Sequence, residues 1–193
     1  KIGRKTTVTL GASMGITGTS DMVLNVTATL TSHGAVLSGG LQLKGTSAVY
    51  TMADDWNVTG TLTSSGTTSV GLTGAHTMYV GGNLTGVTSN TGVSTATIEL
   101  NGTGTWSGNT TWKSTLRINT TGTVTVSGNV QSASIIYTAS TGTVVTTGST
   151  LNFPAGATIS TNGITWNNIT FVNTNTRTLT SDLTANKITL DSG

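Results

Sequence analysis

Between Ile164 and Leu190 the apolar residues keep an even spacing for a few positions and then change phase. Ile164 pairs with Trp166 and Ile169 with Phe171, followed by Leu179 with Leu183 and Ile188 with Leu190. A period of two marks a strand buried on one face. A strand cannot exchange its buried face without bending. The odd steps, three residues from Trp166 to Ile169 and five from Leu183 to Ile188, therefore mark corners. Short strands joined by sharp corners, repeated many times, predict a coil of β-rungs.

The same beat runs through the earlier chain. Leu24, Val26, Ala28 and Leu30 alternate with polar residues until Ser32-His33-Gly34 ends the run. The burst from Val36 to Leu43 is interrupted by Gly39-Gly40. From Trp56 a phrase recurs: Val58-Thr-Gly-Thr-Leu-Thr63, Val80-Gly-Gly-Asn-Leu-Thr85 and Val126-Ser-Gly-Asn-Val-Gln131. The first two copies start 22 residues apart and the next 46 further on, with Leu100-Asn-Gly-Thr-Gly as a degenerate copy between. Gly148 and Asn168 continue the series. A repeat of about 20–23 residues matches one turn of a β-solenoid. One rung cannot bury its own inward residues, but rungs stacked about 4.8 Å apart cover one another. Gly at the third place of the phrase suits left-handed backbone, and Asn at the fourth suits an amide ladder.

The predicted fold is thus all-β, a single-stranded β-solenoid (parallel β-helix). It has about nine rungs and a length of about 40 Å. Residues 1–22 read as an N-terminal strand and turn segment leading from an adjoining region, and 23–193 as the rod. The alternative is two tandem antiparallel β-sandwich domains, which strand bursts at 8–12-residue spacing also suit. The chain starts at Lys1 rather than Met and stops at Gly193 after a strand-like burst. The expectation is therefore a piece of a longer polypeptide.

Composition narrows the function. Of 193 residues only 7% are charged, Thr makes up about a quarter, and Pro154 is the single proline. A β-branched, weakly charged chain orders as β-structure rather than staying disordered. Lys1, Arg4 and Lys5 open the chain, and the other basic residues are scattered. No stripe for a phosphate backbone results, and nucleic acid is not an expected partner. Cysteine is absent, so disulfides and thiolate metal sites are excluded. No apolar run is long enough for a membrane-spanning helix.

Candidate chemistry is sparse. Asp54-Asp55 is the one adjacent acidic pair. Glycoside hydrolysis needs two carboxyls facing a sugar, but neighbours on a strand point to opposite faces. The plain alternative for the pair is a solvated turn, and Asp21, Glu99, Asp182 and Asp191 stand alone. His33 and His76 fall in separate loops without a nearby carboxylate cluster, short of the three or four ligands of a zinc site and of a His-based triad. Glycine runs such as Gly71 to Gly74 and Gly81-Gly82 precede no helix and no Lys-Ser/Thr pair, so they fail as phosphate loops. Trp56, Trp106, Trp112 and Trp166 are large rings that either fill corners or stack on sugars. Trp106 and Trp112, six apart across Ser107-Gly-Asn109, are the pair chosen for glycan binding. Asn-x-Ser/Thr triplets begin at Asn25, Asn57, Asn83, Asn101, Asn109, Asn119 and Asn168. No catalytic residue, metal or cofactor is expected.

Val80-Gly-Gly-Asn-Leu-Thr85, Val126-Ser-Gly-Asn-Val-Gln131 and Thr178-Leu-Thr-Ser-Asp-Leu-Thr184 resemble the β-strand repeats of bacteriophage virion proteins and of bacterial surface adhesins. The resemblance covers about residues 56–190 and rests on composition. It implies a fibre, spike or stalk, commonly trimeric or in stacked copies, that attaches a particle or cell to a surface, and it carries over no catalytic residue. The expected role is a structural, non-enzymatic virion component: a tail fibre, spike or capsid-attached fibre at the virion surface. A bacterial extracellular adhesin or filament subunit is the alternative, and a glycan-degrading β-helix built on Asp54 and Asp55 a third. Expected partners are further copies, other structural subunits or a cell-surface glycan. Exposed edges at the ends of such a rod favour assembly over an isolated monomer.

Overall fold

Three strands in a row lie on three different sheets, and the next three pair with them in the same order. Met22–Leu24, Ala28–Thr31 and Val36–Leu37 are followed by Leu41–Lys44, Val49–Met52 and Trp56–Val58, each parallel to its counterpart one turn earlier. This is a three-sided parallel β-solenoid. The computed structural model describes residues 6–9, 20–25, 27–45, 48–65, 70–87, 95–107, 111–138, 141–153, 157–172 and 176–191. Among them there is no helix, hence none long and apolar enough to cross a membrane, and no antiparallel pair.

One sheet has seven strands, one for each of seven successive turns. The others have four and eleven. From Thr111 onward the division between two faces blurs. Thr111–Ile118 and Gly128–Tyr137 run around a corner unbroken, so Ser149–Phe153 pairs with the first half of the latter and Thr158–Ser160 with the second. Thr165–Val172 likewise bends without breaking. Trp166 and Ile169 both point inward, and Asn167-Asn168 between them make the corner expected there. The N-terminal strand Thr6–Thr9 pairs in register with Ala28–Thr31 and belongs to the same stack.

Stacking in register turns the alternation of each strand into apolar columns along the axis. Met22, Leu41, Leu62, Leu84, Trp106 and Val126 form one. Leu37, Val58, Val80, Leu100, Ile118 and Tyr137 form another. Burying a Leu- or Val-sized side chain contributes about 1.5–3 kcal/mol, and here a single continuous core collects that gain turn after turn. At the far end the columns run out: Leu179 is 52%, Ile188 49% and Leu190 79% exposed.

The recurring phrase occupies two kinds of corner. Val58 pairs with Val80 and Leu62 with Leu84, so the first two copies are equivalent. In the third copy Val126 pairs with Trp106 on the seven-stranded sheet, and this copy turns the following corner instead. The glycines at the two corners differ accordingly. Gly128 has φ +68 and open space around it. Gly60, Gly82 and Gly104 are stacked so closely that a Cβ on Gly104 would lie 2.1 Å from the Gly82 carbonyl oxygen. Asn83 does not stack on other asparagines: its Oδ1 accepts from the Thr105 N–H at 2.8 Å and its Nδ2 faces Thr61 Oγ1 at 3.5 Å. An amide-on-amide contact does occur elsewhere among the described residues, from Asn186 Nδ2 to Asn167 Oδ1 at 3.5 Å.

These two uses of glycine separate by substitution. Gly104→Ala drives a methyl into backbone and should cost about 3 kcal/mol or more. Gly148→Ala, at φ +78 with no atom in the way, should cost only the left-handed penalty of about 1–2 kcal/mol. Urea denaturation of the two variants would measure the difference; equal losses would mean that close stacking does not govern the Gly60–Gly82–Gly104 column.

Candidate functional site

The corner between the four-stranded and the eleven-stranded sheets brings together residues that look unrelated in sequence. In three successive turns it is made by Ser32-His33-Gly34, by Asp54-Asp55 and by Ala75-His76. Asp54 reaches back along the axis: Oδ1 accepts from the Ser32 N–H and Oδ2 from the His33 N–H, both at 2.7 Å. Asp55 reaches forward: Oδ1 accepts from the Thr77 N–H at 2.8 Å and stands 3.5 Å from His76 Nδ1. Ser32 is fully buried and closes the corner from within. Its hydroxyl donates to the Asp55 carbonyl at 2.6 Å and accepts from the Gly34 N–H at 3.0 Å. His33 has φ +49, a left-handed conformation unusual for a side chain with a Cβ.

Burial is the largest single influence on Asp54 and pushes its pKa up, but the N–H bonds from Ser32 and His33, the Ser32 hydroxyl and the nearby His33 ring together outweigh it, so the carboxyl sits below its ordinary value. His33 and His76, read from the sequence as lying in separate loops without a nearby carboxylate cluster, flank the Asp54-Asp55 pair from the turns on either side. A step of one turn carries Ser32 to Asp54 and Asp55 to Thr77, 22 residues each. Among the described residues no group of three or more His, Asp or Glu is placed to hold a metal ion. The corner links turns, and its two carboxylates point away from each other along the axis rather than converging on a substrate.

A second polar group lies on the outer side of the eleven-stranded sheet. Glu99 is only 4% exposed although it points outward. Arg117, its partner in the next turn, donates to Oε2 at 3.0 Å, and Asn119 donates to Oε1 at 3.0 Å. Asp21 accepts from the Gly40 N–H at 3.1 Å, again across one turn. Asp21, Asp54, Asp55 and Glu99 thus each link neighbouring turns.

The tryptophans chosen for glycan binding do not face solvent. Trp106 is enclosed between Leu84 and Val126 in the core. Trp112 is equally buried, and its Nε1 donates to the Thr115 carbonyl at 3.0 Å. Neither ring has a free face for a sugar, which corrects that expectation. Trp56 and Trp166 are interior as well, and the indole N–H groups of Trp56, Trp106 and Trp166 find no hydrogen-bond partner. The gain from filling the core outweighs the unmet donors. Asn109 of the glycosylation triplets lies outside the described residues.

No family model matches the chain, and neither the curated proteins nor the solved structures include a match to it.

Glu99 and Arg117 make a test of these cross-turn links. Arg117→Ala leaves a buried carboxylate with one partner fewer and should destabilise by about 2–3 kcal/mol. Glu99→Gln frees an arginine that can swing into water and should cost about 1 kcal/mol. Chemical denaturation of both variants would show the order; a larger loss for Glu99→Gln would contradict it.

Proposed function

We propose that this chain is a structural, non-enzymatic rod of a bacteriophage particle, a tail fibre, spike or capsid-attached fibre that serves assembly or attachment to a host surface. The observation that carries this reading is the continuous apolar interior shared by all turns under a coat rich in Thr, Ser and Asn. Such a body transmits force along its axis through parallel backbone bonds and offers an uncharged side to water. Its polar clusters spend their carboxylates on neighbouring turns, as a scaffold does. The apolar residues Leu179, Ile188 and Leu190 at one end support assembly with further copies or other structural subunits.

Two measurements test it. Density-gradient fractions probed with an antibody to the chain should place it with nucleic-acid-filled particles. Recovery on cell envelopes free of particles would replace the phage reading with that of an adhesin, and recovery only as free protein in the lysate would overturn both. Light scattering of the purified chain should show association that grows with concentration. A strict monomer at every concentration would remove the assembly part of the reading.

A further inference from the structure

We propose that the Asp54-Asp55 corner is an acid-released clasp between the first turns of the rod, with Asp54 as its trigger. The two carboxylates differ in a way their adjacency in sequence hides. Both oxygens of Asp54 already accept a backbone N–H, from Ser32 and from His33. A proton on either oxygen brings an O–H donor beside an N–H donor and removes the negative charge from both acceptors, so protonation weakens the double bond. Asp55 uses only Oδ1, toward the Thr77 N–H and the His76 ring. A proton on its other oxygen leaves the Thr77 bond in place. Acid therefore opens the link between the first and second of these turns and spares the link between the second and third.

Release has a direction because the corner is held against its own preference. His33 keeps a left-handed backbone at φ +49, followed by Gly34 at φ +78. That conformation is unfavourable for a residue with a Cβ, and the carboxylate bonds to Ser32 and His33 are what fix it. Once Asp54 lets go, the Ser32 hydroxyl bond to the Asp55 carbonyl remains, but the His33 amide is free.

The titratable groups facing the pair are His33 from the turn before and His76 from the turn after. The sign of the response follows from the lowered Asp54 pKa. Its contribution is complete above the ordinary carboxylate value of about 3.9 and is lost as pH falls through the lower folded value. The response is a release in acid, centred on the link from Asp54 to Ser32 and His33.

The test is an NMR titration of the isotope-labelled chain from pH 7 downward. The Ser32 and His33 amide resonances should move together, with a midpoint below that of an ordinary carboxylate, and their hydrogen-exchange protection should then collapse by about tenfold or more. Asp54→Asn places an amide donor against one of the two N–H groups and should show the same loss of protection already at pH 7. Asp55→Asn, which keeps an acceptor for Thr77, should leave Ser32 and His33 unchanged. Amides of Ser32 and His33 that show no step in the wild-type titration would overturn the proposal, as would an Asp55→Asn variant that loosens them as much as Asp54→Asn does.

Discussion

The backbone hydrogen bonds of this rod run along its axis, so each turn is held in place by the turns on either side. Along a strand the ladder satisfies every N–H and carbonyl automatically. At a corner it is interrupted, and a buried carbonyl left without a donor costs on the order of 1–3 kcal/mol. Hydroxyls inside the rod meet that need. Ser32 donates to the Asp55 carbonyl, Thr120 to Gly102, Thr146 to Thr165 and Thr161 to Asp182, each across one turn, and all four side chains are buried. Ser149 donates to the Thr146 carbonyl within Thr146's own corner. Threonine and serine are therefore abundant for two reasons. Outside they suit strand geometry and water; inside they complete the corners.

Constant rung length lets the same side chain recur at the same place. Thr7, Thr29, Thr51 and Thr73 pair in sequence on the four-stranded sheet, and the Thr95 N–H continues the series by donating to the Leu72 carbonyl. The Thr73 hydroxyl lies 3.1 Å from that of Thr51, 22 residues earlier. Later turns are less regular. Cross-turn partners stand 18 residues apart at Ser132 and Ser114, and 24 apart at Ser134 and Thr158. The difference is taken up at corners, where Thr111–Ile118 and Gly128–Tyr137 wrap around instead of stopping. Uniform rungs keep the faces separate, and uneven ones fuse them.

That irregularity decides what could be read from the residues alone. Alternation within bursts fixes which side chains point inward, and Leu24, Ala28, Leu30, Trp166 and Ile169 are all buried as their spacing implies. The parallel solenoid follows from the repeat. Which corner a phrase occupies does not, because Val80-Gly-Gly-Asn-Leu-Thr85 and Val126-Ser-Gly-Asn-Val-Gln131 carry the same pattern at different corners. The clasp was hidden for a related reason. His33 meets Asp54, and His76 meets Asp55, only when the chain is laid out in steps of about 22 residues, and a drift of two or three residues would separate them. Glu99 and Arg117 are harder still, since their step is 18. For the tryptophans, size and aromaticity suit a sugar platform and a wide corner alike. Only the register, which places Trp106 in line with Leu84 and Val126, distinguishes the two.

Nearest-neighbour support also explains the gradient of burial along a column. Val130, Leu151 and Ile169 are covered from both sides and are almost wholly buried, whereas Ile188, next in the same column, is half exposed. The backbone of Thr184–Asp191 bonds to Thr165–Val172 on one edge, and among the described residues nothing pairs with the other. A solenoid has no geometry that closes such an edge upon itself, as a barrel does. The face that Ile188 and Leu190 present is the same kind of surface that every inner turn covers with the next. What covers an inner face of this kind is another extended segment with apolar residues at alternate positions, the pattern by which Leu151, Ile169 and Ile188 follow one another in register.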